Sequence, residues 1–420
     1  MFKCSKLVLS SFLIIITILY MPYEIYADDI DYFSEDINIS EEIAETSSNS
    51  IDIPDINSRA AVVIDRNSNT ILFGKNENDK RKMASTTKIM TALIVIENAN
   101  LNDTVTVSKN AAGTGGSRLG LKTDDKVTVN NLLYGLMLCS GNDAAVALAE
   151  YVGGSIEGFA HMMNAKASIL GLNNTHFVTP HGLDKDEHYT TAYELALLTN
   201  YALKNETFAK IVNTQNTTIT INGYSKSLHN TNELLGYLNG VYGVKTGFTN
   251  GANRCLVTAC KRDNLDIICV VLGADTKKFR TKDSIKLIEY AFANYSNVNI
   301  QNILNEDFNE WKNNNSNTLN ISKGISQNID LNLDDLLYNN IAISNDKIKN
   351  INTKIYIDSN LNAPIYKNTI IGHIDLIVDN DVIYSCNILS NSTIKKRNVL
   401  DYISIFLHNY YSIILENKKI

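Results

Sequence analysis

Three short polar motifs occur in one order along this chain: Ser85-Thr-Thr-Lys88, Ser140-Gly-Asn142 and Lys245-Thr246-Gly247, about 55 and then about 105 residues apart. A fold that uses them together must bring a helix start, a loop between helices and a strand to one place. That requirement limits the architecture more than composition does. Each motif alone is weak, since Ser344/Lys347 and Ser392/Lys395 repeat the first spacing and Ser326/Asn328 the second, whereas Lys-Thr-Gly occurs once. Order, spacing and local context carry the inference. The plain alternative for Ser85 is an ordinary helix N-cap, because Ser-Thr-Thr before an apolar helix is good capping chemistry.

Local patterns place each motif on an element. Ala60–Asp65 and Thr70–Phe73 are short apolar runs joined through Asn67-Ser-Asn69, which predicts a β-hairpin. From Ser85 onward, Ile89, Met90, Leu93, Ile94 and Ile96 recur at helical spacing. Ser85 and Lys88, three apart, then share a helix face, about 5–6 Å apart at Cβ. Thr128 caps a helix over about 130–139 that breaks at Ser140-Gly141, and Asn142-Asp143 starts the next, to Val152. Such a break presents polar groups into a cleft. Gly113–Gly120 is a turn-rich loop and fails as a phosphate cradle, since no Gly-Lys-Ser/Thr follows. Val241–Lys245, Cys255–Lys261 and Leu265–Gly273 read as strands, with Lys261–Asn264 as a tight turn, and Asp283–Phe292 as a closing helix. The sum is an α/β (α+β) domain, an antiparallel sheet with helices packed against it.

The chemistry follows from the residue types. A serine hydroxyl becomes a nucleophile only when something takes its proton. Lys88 does this when its amine is neutral, a state favoured by burial and by a second cation such as Lys245. Ser140 is placed to relay the proton to the leaving group. The oxyanion needs fixed donors, for which the backbone N–H of Ser85 and of Phe248, just after Gly247, are the candidates. Gly247 lets a substrate backbone approach its strand closely.

At 420 residues the chain is long enough for two or three domains, and 44% hydrophobic residues supply their cores. A net charge of −7, with no basic stripe, argues against a nucleic-acid partner. No His-Glu-x-x-His pattern or Cys/His cluster is present in the sequence, so neither metal nor cofactor is expected. Lys3, Lys6, the apolar run Leu7–Met21 and Ile25-Tyr-Ala27 read as an export signal over residues 1–27. Residues 28–55 are acidic and Ser-rich, a flexible spacer. Cys139, Cys255, Cys260, Cys269 and Cys386 read as free thiols, and Cys260 with Cys269 is the pair that a disulfide between neighbouring strands would join. The organisation expected is a main domain over 56–296, a polar Asn-rich linker over 297–327, a small all-β domain over 328–395 and an amphipathic helix over 398–420. On that last helix Leu400, Ile403, Phe406, Leu407, Tyr410, Tyr411 and Ile414 share one side. It suits a membrane surface or a dock on the β domain, and its free end favours the membrane.

Beyond the triplets, Met83–Thr91, Leu132–Ala145, Thr179-Pro-His-Gly-Leu183 and Tyr189–Ala192 identify a family. Over about residues 55–295 the chain resembles the penicillin-interacting serine D-alanyl-D-alanine carboxypeptidases, the low-molecular-mass penicillin-binding proteins that trim bacterial peptidoglycan. Its second domain is similar to their β-rich C-terminal domain, with Leu361-Asn-Ala-Pro-Ile365 the best match. The resemblance implies a β-lactamase/transpeptidase-like fold and an exported enzyme at the outer face of the cell membrane. It implies Ser85 as acylated nucleophile, Lys88 as general base, and Ser140, Asn142 and Lys245 as proton-relay and substrate-orienting groups. Thr246 would help hold the terminal carboxylate of a stem peptide ending in D-Ala-D-Ala, with Arg280 a further cation for it or a solvated helix-start residue. β-Lactam antibiotics are the covalent inhibitors implied, and a terminal amphipathic anchor is typical. His181, and His229 with Asn230, read as turn residues near the cleft.

Two rivals use the same motifs. A class A β-lactamase needs a carboxylate to activate the deacylating water, and between Asn142 and Lys245 only Glu157, Glu187, Glu194 and Glu233 offer themselves, without the Glu-x-x-Leu-Asn setting. A catalytically silent peptidoglycan-binding protein would keep the fold, yet every expected catalytic residue type is present.

Overall fold

A computed structural model describes residues 52–315, 319–326, 328–358 and 360–417. The expected signal, 1–27, and nearly all of the acidic spacer lie outside the described residues. The chain forms two compact units, one comprising the chain through Ile64, Phe73–Arg262 and Asp266–Ala291, the other Asp65–Leu72, Asp263–Leu265 and Phe292–Ile420.

The larger unit is built on a five-stranded sheet. Its strands are β1 (Ala60–Asp65), β2 (Ile71–Lys75), β7 (Val241–Thr249), β8 (Asn253–Arg262) and β9 (Leu265–Ala274), in the order β2-β1-β9-β8-β7. The hairpin expected near residues 67–69 forms because the Asp65 carboxylate accepts the Asn67 and Ser68 N–H groups and Asn69 adopts φ +61°. β8 and β9 are joined by the Asp263-Asn264 connection inside the expected turn, with Asp263 at φ +47°. β7 pairs antiparallel with β8, Lys245 facing Val257 and Gly247 facing Cys255, and it ends the sheet. An edge strand keeps one row of N–H and C=O groups unpaired.

The central helix α1 (Lys88–Asn98) differs from its sequence pattern. Every residue from Lys88 to Val95 is buried, so the helix runs through the core instead of resting one face on it. It starts later than expected, since Ala84–Thr87 forms a separate 3₁₀ turn. In chain order there follow β3 (Thr104–Thr106), α2 (Lys109–Ala112), β4 (Lys126–Thr128), α3 (Val129–Met137), α4 (Asn142–Gly153), α5 (Ile156–Ile169), α6 (Ala192–Ala202), α7 (Glu206–Val212) and the hairpin β5 (Asn216–Ile221) with β6 (Tyr224–His229). Thr128 caps α3 as expected, its side chain accepting the Asn131 N–H. The closing helix α8 spans Lys277–Asn294, longer at both ends than the apolar run suggested.

The second unit corrects one expectation. Much of the stretch read as a linker over 297–327 is the helix α9 (Ile300–Asn315), preceded by β10 (Tyr295–Asn299). Ile300, Leu304 and Phe308 recur every four residues and are buried with Ile374, Leu376 and Ile388. The Asn and acidic residues on the other faces hide that stripe in the composition. β10 pairs with β13 (Asn340–Ser344), and β11 (Asn320–Ser322) runs parallel to β15 (Asn360–Asn362). The four-stranded sheet orders β12 (Leu331–Leu333), β17 (Asp381–Ser390), β16 (Ile370–Val378) and β14 (Ile351–Ile357). Helix α10 (Val399–Asn417) carries Leu400, Ile403, Phe406, Leu407, Tyr410 and Tyr411 exposed. Among the described residues no helix is long and apolar enough to cross a membrane.

The five cysteines among the described residues are free thiols, so the Cys260–Cys269 pair is not joined. Burial pushes the Cys260 thiol up to about 12, which keeps it protonated and unreactive.

Candidate active site

The 3₁₀ turn that carries Ser85 is pinned from two sides. Ala84 sits at φ +49°, a conformation that costs a non-glycine residue on the order of 1 kcal/mol and persists only where the surroundings enforce it. One enforcing contact is Gly182, at φ +89°, where any Cβ would collide with the Ala84 carbonyl. The other is Gly247 on β7, where a Cβ would lie 3.1 Å from Ser85 N and 3.2 Å from Met83 O. Thr87 Oγ1 donates to Ala84 O at 2.8 Å and lies 2.8 Å from His188 Nε2. His188 Nδ1 accepts the Val178 N–H at 3.0 Å, so its proton is on Nε2 and points at Thr87. Burial, with a smaller contribution from His176, lowers His188 to about 4, which keeps the ring neutral and this bond directed.

Lys88 is fully buried because it begins a helix that enters the core. Its Nζ lies 2.7 Å from Ser85 Oγ and donates to Asn142 Oδ1 at 2.7 Å and to the His181 carbonyl at 3.0 Å. Asn142 Nδ2 in turn donates to Gly115 O at 2.8 Å, which fixes its oxygen toward the lysine. His181 is lowered to about 3, chiefly by burial and then by the Lys88 charge. It therefore contributes a carbonyl to the lysine and no second cation. Asn142 Oδ1 and His181 O can only accept. A neutral Lys88 amine keeps a proton for each of them, and its lone pair then faces Ser85 Oγ.

Ser140 stands in the connection between α3 and α4, as the break in the pattern suggested. It adopts φ +59° and is fully buried, and its Oγ has no hydrogen-bond partner among the described residues. Thr231 links this loop to β7: its N–H bonds Leu138 O at 3.0 Å, and its Oγ1 lies 2.8 Å from Thr246 Oγ1. Lys245, 1% exposed, donates to Thr246 O at 3.0 Å. The fold thus brings Ser85, Lys88 and Asn142 into one bonded group, with Gly247 against Ser85.

Arg280 and Phe248, also of the expected set, are engaged with other partners. Arg280 Nη2 is paired with Glu233 at 3.0 Å, and the same carboxylate takes Lys277 at 2.8 Å and the Thr281 hydroxyl. Burial works to raise Glu233, but the Arg280 charge and the bonds from Lys277 and Thr281 prevail and hold it below the usual range. Arg280 Nε is buried without a hydrogen-bond partner among the described residues. Arg280 is thus a buried group, not a solvated one. The Phe248 ring is covered by the Arg254 guanidinium at 3.7 Å, a cation–π contact across the β7–β8 pair. Of the turn residues, Asn230 is buried and donates to Val212 O and Thr214 O, whereas His229 is exposed beside Asn216.

Sequence reasoning missed Asp143. Its buried carboxylate accepts the N–H groups of Leu119 (2.7 Å), Gly120 (2.7 Å) and Leu121 (2.9 Å). It thereby ties the glycine-rich loop to the start of α4, and that loop supplies the Gly115 carbonyl that orients Asn142. The pairing joins residues more than twenty apart, so no local pattern announces it.

Three comparisons bear on this geometry. Residues 46–276 match the family model of peptidase S11, D-alanyl-D-alanine carboxypeptidase, and residues 312–396 match that of the penicillin-binding protein 5 C-terminal domain. The chain is 33% identical over 351 residues to D-alanyl-D-alanine carboxypeptidase DacF of Bacillus subtilis, covering 82% of this chain and 88% of that one. It is 31% identical to DacA of Escherichia coli over 379 residues, 86% and 90% of the two chains. Among solved structures, penicillin binding protein 5 from Haemophilus influenzae superposes with a TM-score of 0.69 at 28% identity, covering 82% of this chain and all of that one.

Proposed function

The chain belongs to the peptidase S11 family of D-alanyl-D-alanine carboxypeptidases, and from that premise we propose that it removes the terminal D-alanine of peptidoglycan stem peptides through an acyl-enzyme on Ser85. The observation that carries this reading is the position of Lys88 Nζ, 2.7 Å from Ser85 Oγ, with its two other bonds made to groups that only accept. Neutral Lys88 takes the proton of the Ser85 hydroxyl while Oγ bonds to the carbonyl carbon of the penultimate D-alanine. The oxyanion is assigned to the backbone N–H of Ser85, against which Gly247 packs, and of Phe248, the next residue along β7. As the tetrahedral intermediate collapses, the C–N bond breaks. The departing D-alanine amine receives the proton from Lys88 through Ser140 Oγ, the buried hydroxyl with bonding capacity to spare. Water then repeats the sequence on the ester, with Lys88 as base, and frees the shortened peptide.

Lys245 and Thr246 receive the terminal carboxylate. Arg280 is the further cation assigned to that carboxylate, acting from its pair with Glu233. The substrate lies as an added strand along the unpaired edge of β7. With a β-lactam the leaving nitrogen stays tethered to the acyl group, so the adduct persists unless a separate carboxylate activates water. Glu194 is bonded to Asn174 N and Thr175 Oγ1, and Glu233 to Arg280, Lys277 and Thr281. Neither bonds to the Ser85 group, which favours a penicillin target over a penicillin destroyer.

The export signal pattern supports action outside the cytoplasmic membrane, and the exposed apolar side of α10 supports peripheral contact with that membrane. The test is intact-mass analysis with a penicillin, beside D-alanine release from a pentapeptide ending in D-Ala-D-Ala. A stable adduct mapping to Ser85 together with D-alanine release is the expected result. Rapid adduct loss with drug turnover would replace this reading with a β-lactamase, and a folded protein with neither activity would replace it with a binding module.

A further inference from the structure

A cavity of about 260 Å³ opens where the cleft strand ends. It is lined by Arg59, Arg81, Lys82, Asn250, Gly251 and Asn253, among others, and its side chains are cationic and amide in character. The sheet order explains its place, since the start of β1, the end of β9, the start of β8 and the end of β7 meet at one end of the sheet.

The cations differ in how far they are already used. Arg59 donates to Gly273 O at 2.6 Å and pairs with Asp275 at 3.0 Å. Arg81 has only a long contact of 3.5 Å to the exposed Asp79, and its Nε is buried without a hydrogen-bond partner among the described residues. Lys82 makes no ion pair among the described residues. The nearby carboxylate of Asp184 is already engaged, taking the Gly251 N–H at 2.9 Å and the Thr249 hydroxyl at 2.8 Å. An unpaired lysine and a guanidinium without a close ion pair, lining one cavity, describe a site for an anion.

Its distance from the reaction identifies which anion. Resting on the acyl-transfer reading above, the terminal carboxylate lies at Lys245-Thr246 and the reacting carbonyl beside Gly247. The preceding residues of the donor therefore run antiparallel to β7, past Phe248 toward Asn250. Asn250 is three residues beyond Gly247, about 10 Å at the rise of a strand, and Lys82 is three residues before Ser85. We propose that this cavity is a specificity subsite for a carboxylate carried by the donor peptide about three residues before the scissile bond, held by Lys82 and Arg81.

Two peptides ending in D-Ala-D-Ala test it, one with glutamate and one with glutamine as the third residue before the scissile bond, each assayed with the whole chain by D-alanine release. The expected result is a kcat/KM roughly 3- to 10-fold higher for glutamate, the contribution of one partly buried charge-assisted contact. That preference disappears in Lys82→Gln, persists in Lys82→Arg and reverses in Lys82→Glu, with thermal melting confirming that each variant is folded. Arg81→Gln supplies an independent reduction. Equal kcat/KM for the two peptides in the unaltered protein, or a preference that survives both Lys82→Gln and Arg81→Gln, overturns the subsite while leaving the Ser85 reading intact. Failure to hydrolyse either peptide, with no penicillin adduct on Ser85, overturns both.

Discussion

The two units differ most in what they bury. Between Ser58 and Ser284 the larger unit encloses Lys88, Asn142, Asp143, Lys245, Arg280 and a row of threonines and serines, many of them nearly inaccessible. Across residues 292–417, by contrast, Asp375 and Ser390 are the buried polar side chains among those described, set in a core of Ile, Leu and Val. Burying a polar group without a partner costs several kcal/mol, so such groups persist where a network satisfies them or a function uses them. The contrast separates a unit organised around desolvated proton donors and acceptors from one organised around apolar packing. The residues of the proposed chemistry all belong to the first.

The sharpest way to break that contrast is to remove the central pair. Ser85→Ala and Lys88→Ala should each lower penicillin acylation and D-alanine release by at least about 1000-fold, as expected when one member of a cooperating nucleophile–base pair is lost. Intact-mass and D-alanine assays read this directly, and acylation at near-normal rate in either variant would remove Ser85–Lys88 from the centre of the mechanism. In the other unit Ile374→Ala should cost about 2–5 kcal/mol of stability by leaving a cavity under β16, and its penicillin acylation rate below the melting transition should stay unchanged. A large loss of acylation there would show that the second unit shapes the cleft.

Acid sharpens the same comparison. His181 and His188 have folded-state values of about 3 and about 4, below the ordinary 6.5. Above pH 6.5 both rings are neutral folded or unfolded. Below it the unfolded chain takes up protons that the folded site refuses, so the stability they confer is lost as pH falls from 6.5 toward 4, at up to about 1.4 kcal/mol per pH unit for each ring. Calorimetric melting should show the steeper acid decline in the unit that carries them, and His188→Gln should flatten it. A melting temperature constant from pH 7 to pH 5 contradicts the burial of these rings. The smallest effect on catalysis is expected from deleting residues 398–420, which should leave acylation unchanged and move the protein from the membrane fraction to the soluble one. Retention on membranes would show that contact is made elsewhere.

Much of the site could be read from the sequence because its pieces are local. Ser85 and Lys88 share one short segment, Ser140 and Asn142 mark a break between two helical patterns, and Lys245-Thr246-Gly247 falls on a strand; residues three apart or on one short strand are set by backbone geometry alone. The helix over Ile300–Asn315 is equally local yet its sequence has the character of a linker, because its apolar stripe is thin and its composition polar. Other features required the folded chain. Nothing in the pattern of residues 88–96 shows that α1 is buried on every side, and it is that burial which desolvates Lys88. The Asp143 carboxylate on the loop at 119–121, the His181 carbonyl on Lys88, the pairing of Arg280 with Glu233 and the cationic cavity at the end of β7 each join residues distant in sequence. Periodicity and motif fix which chemical groups are present and which element carries each. The tertiary structure alone decided which of them are dry, which are already paired and which remain able to bond a substrate, because desolvation and partnership depend on what long-range packing brings together.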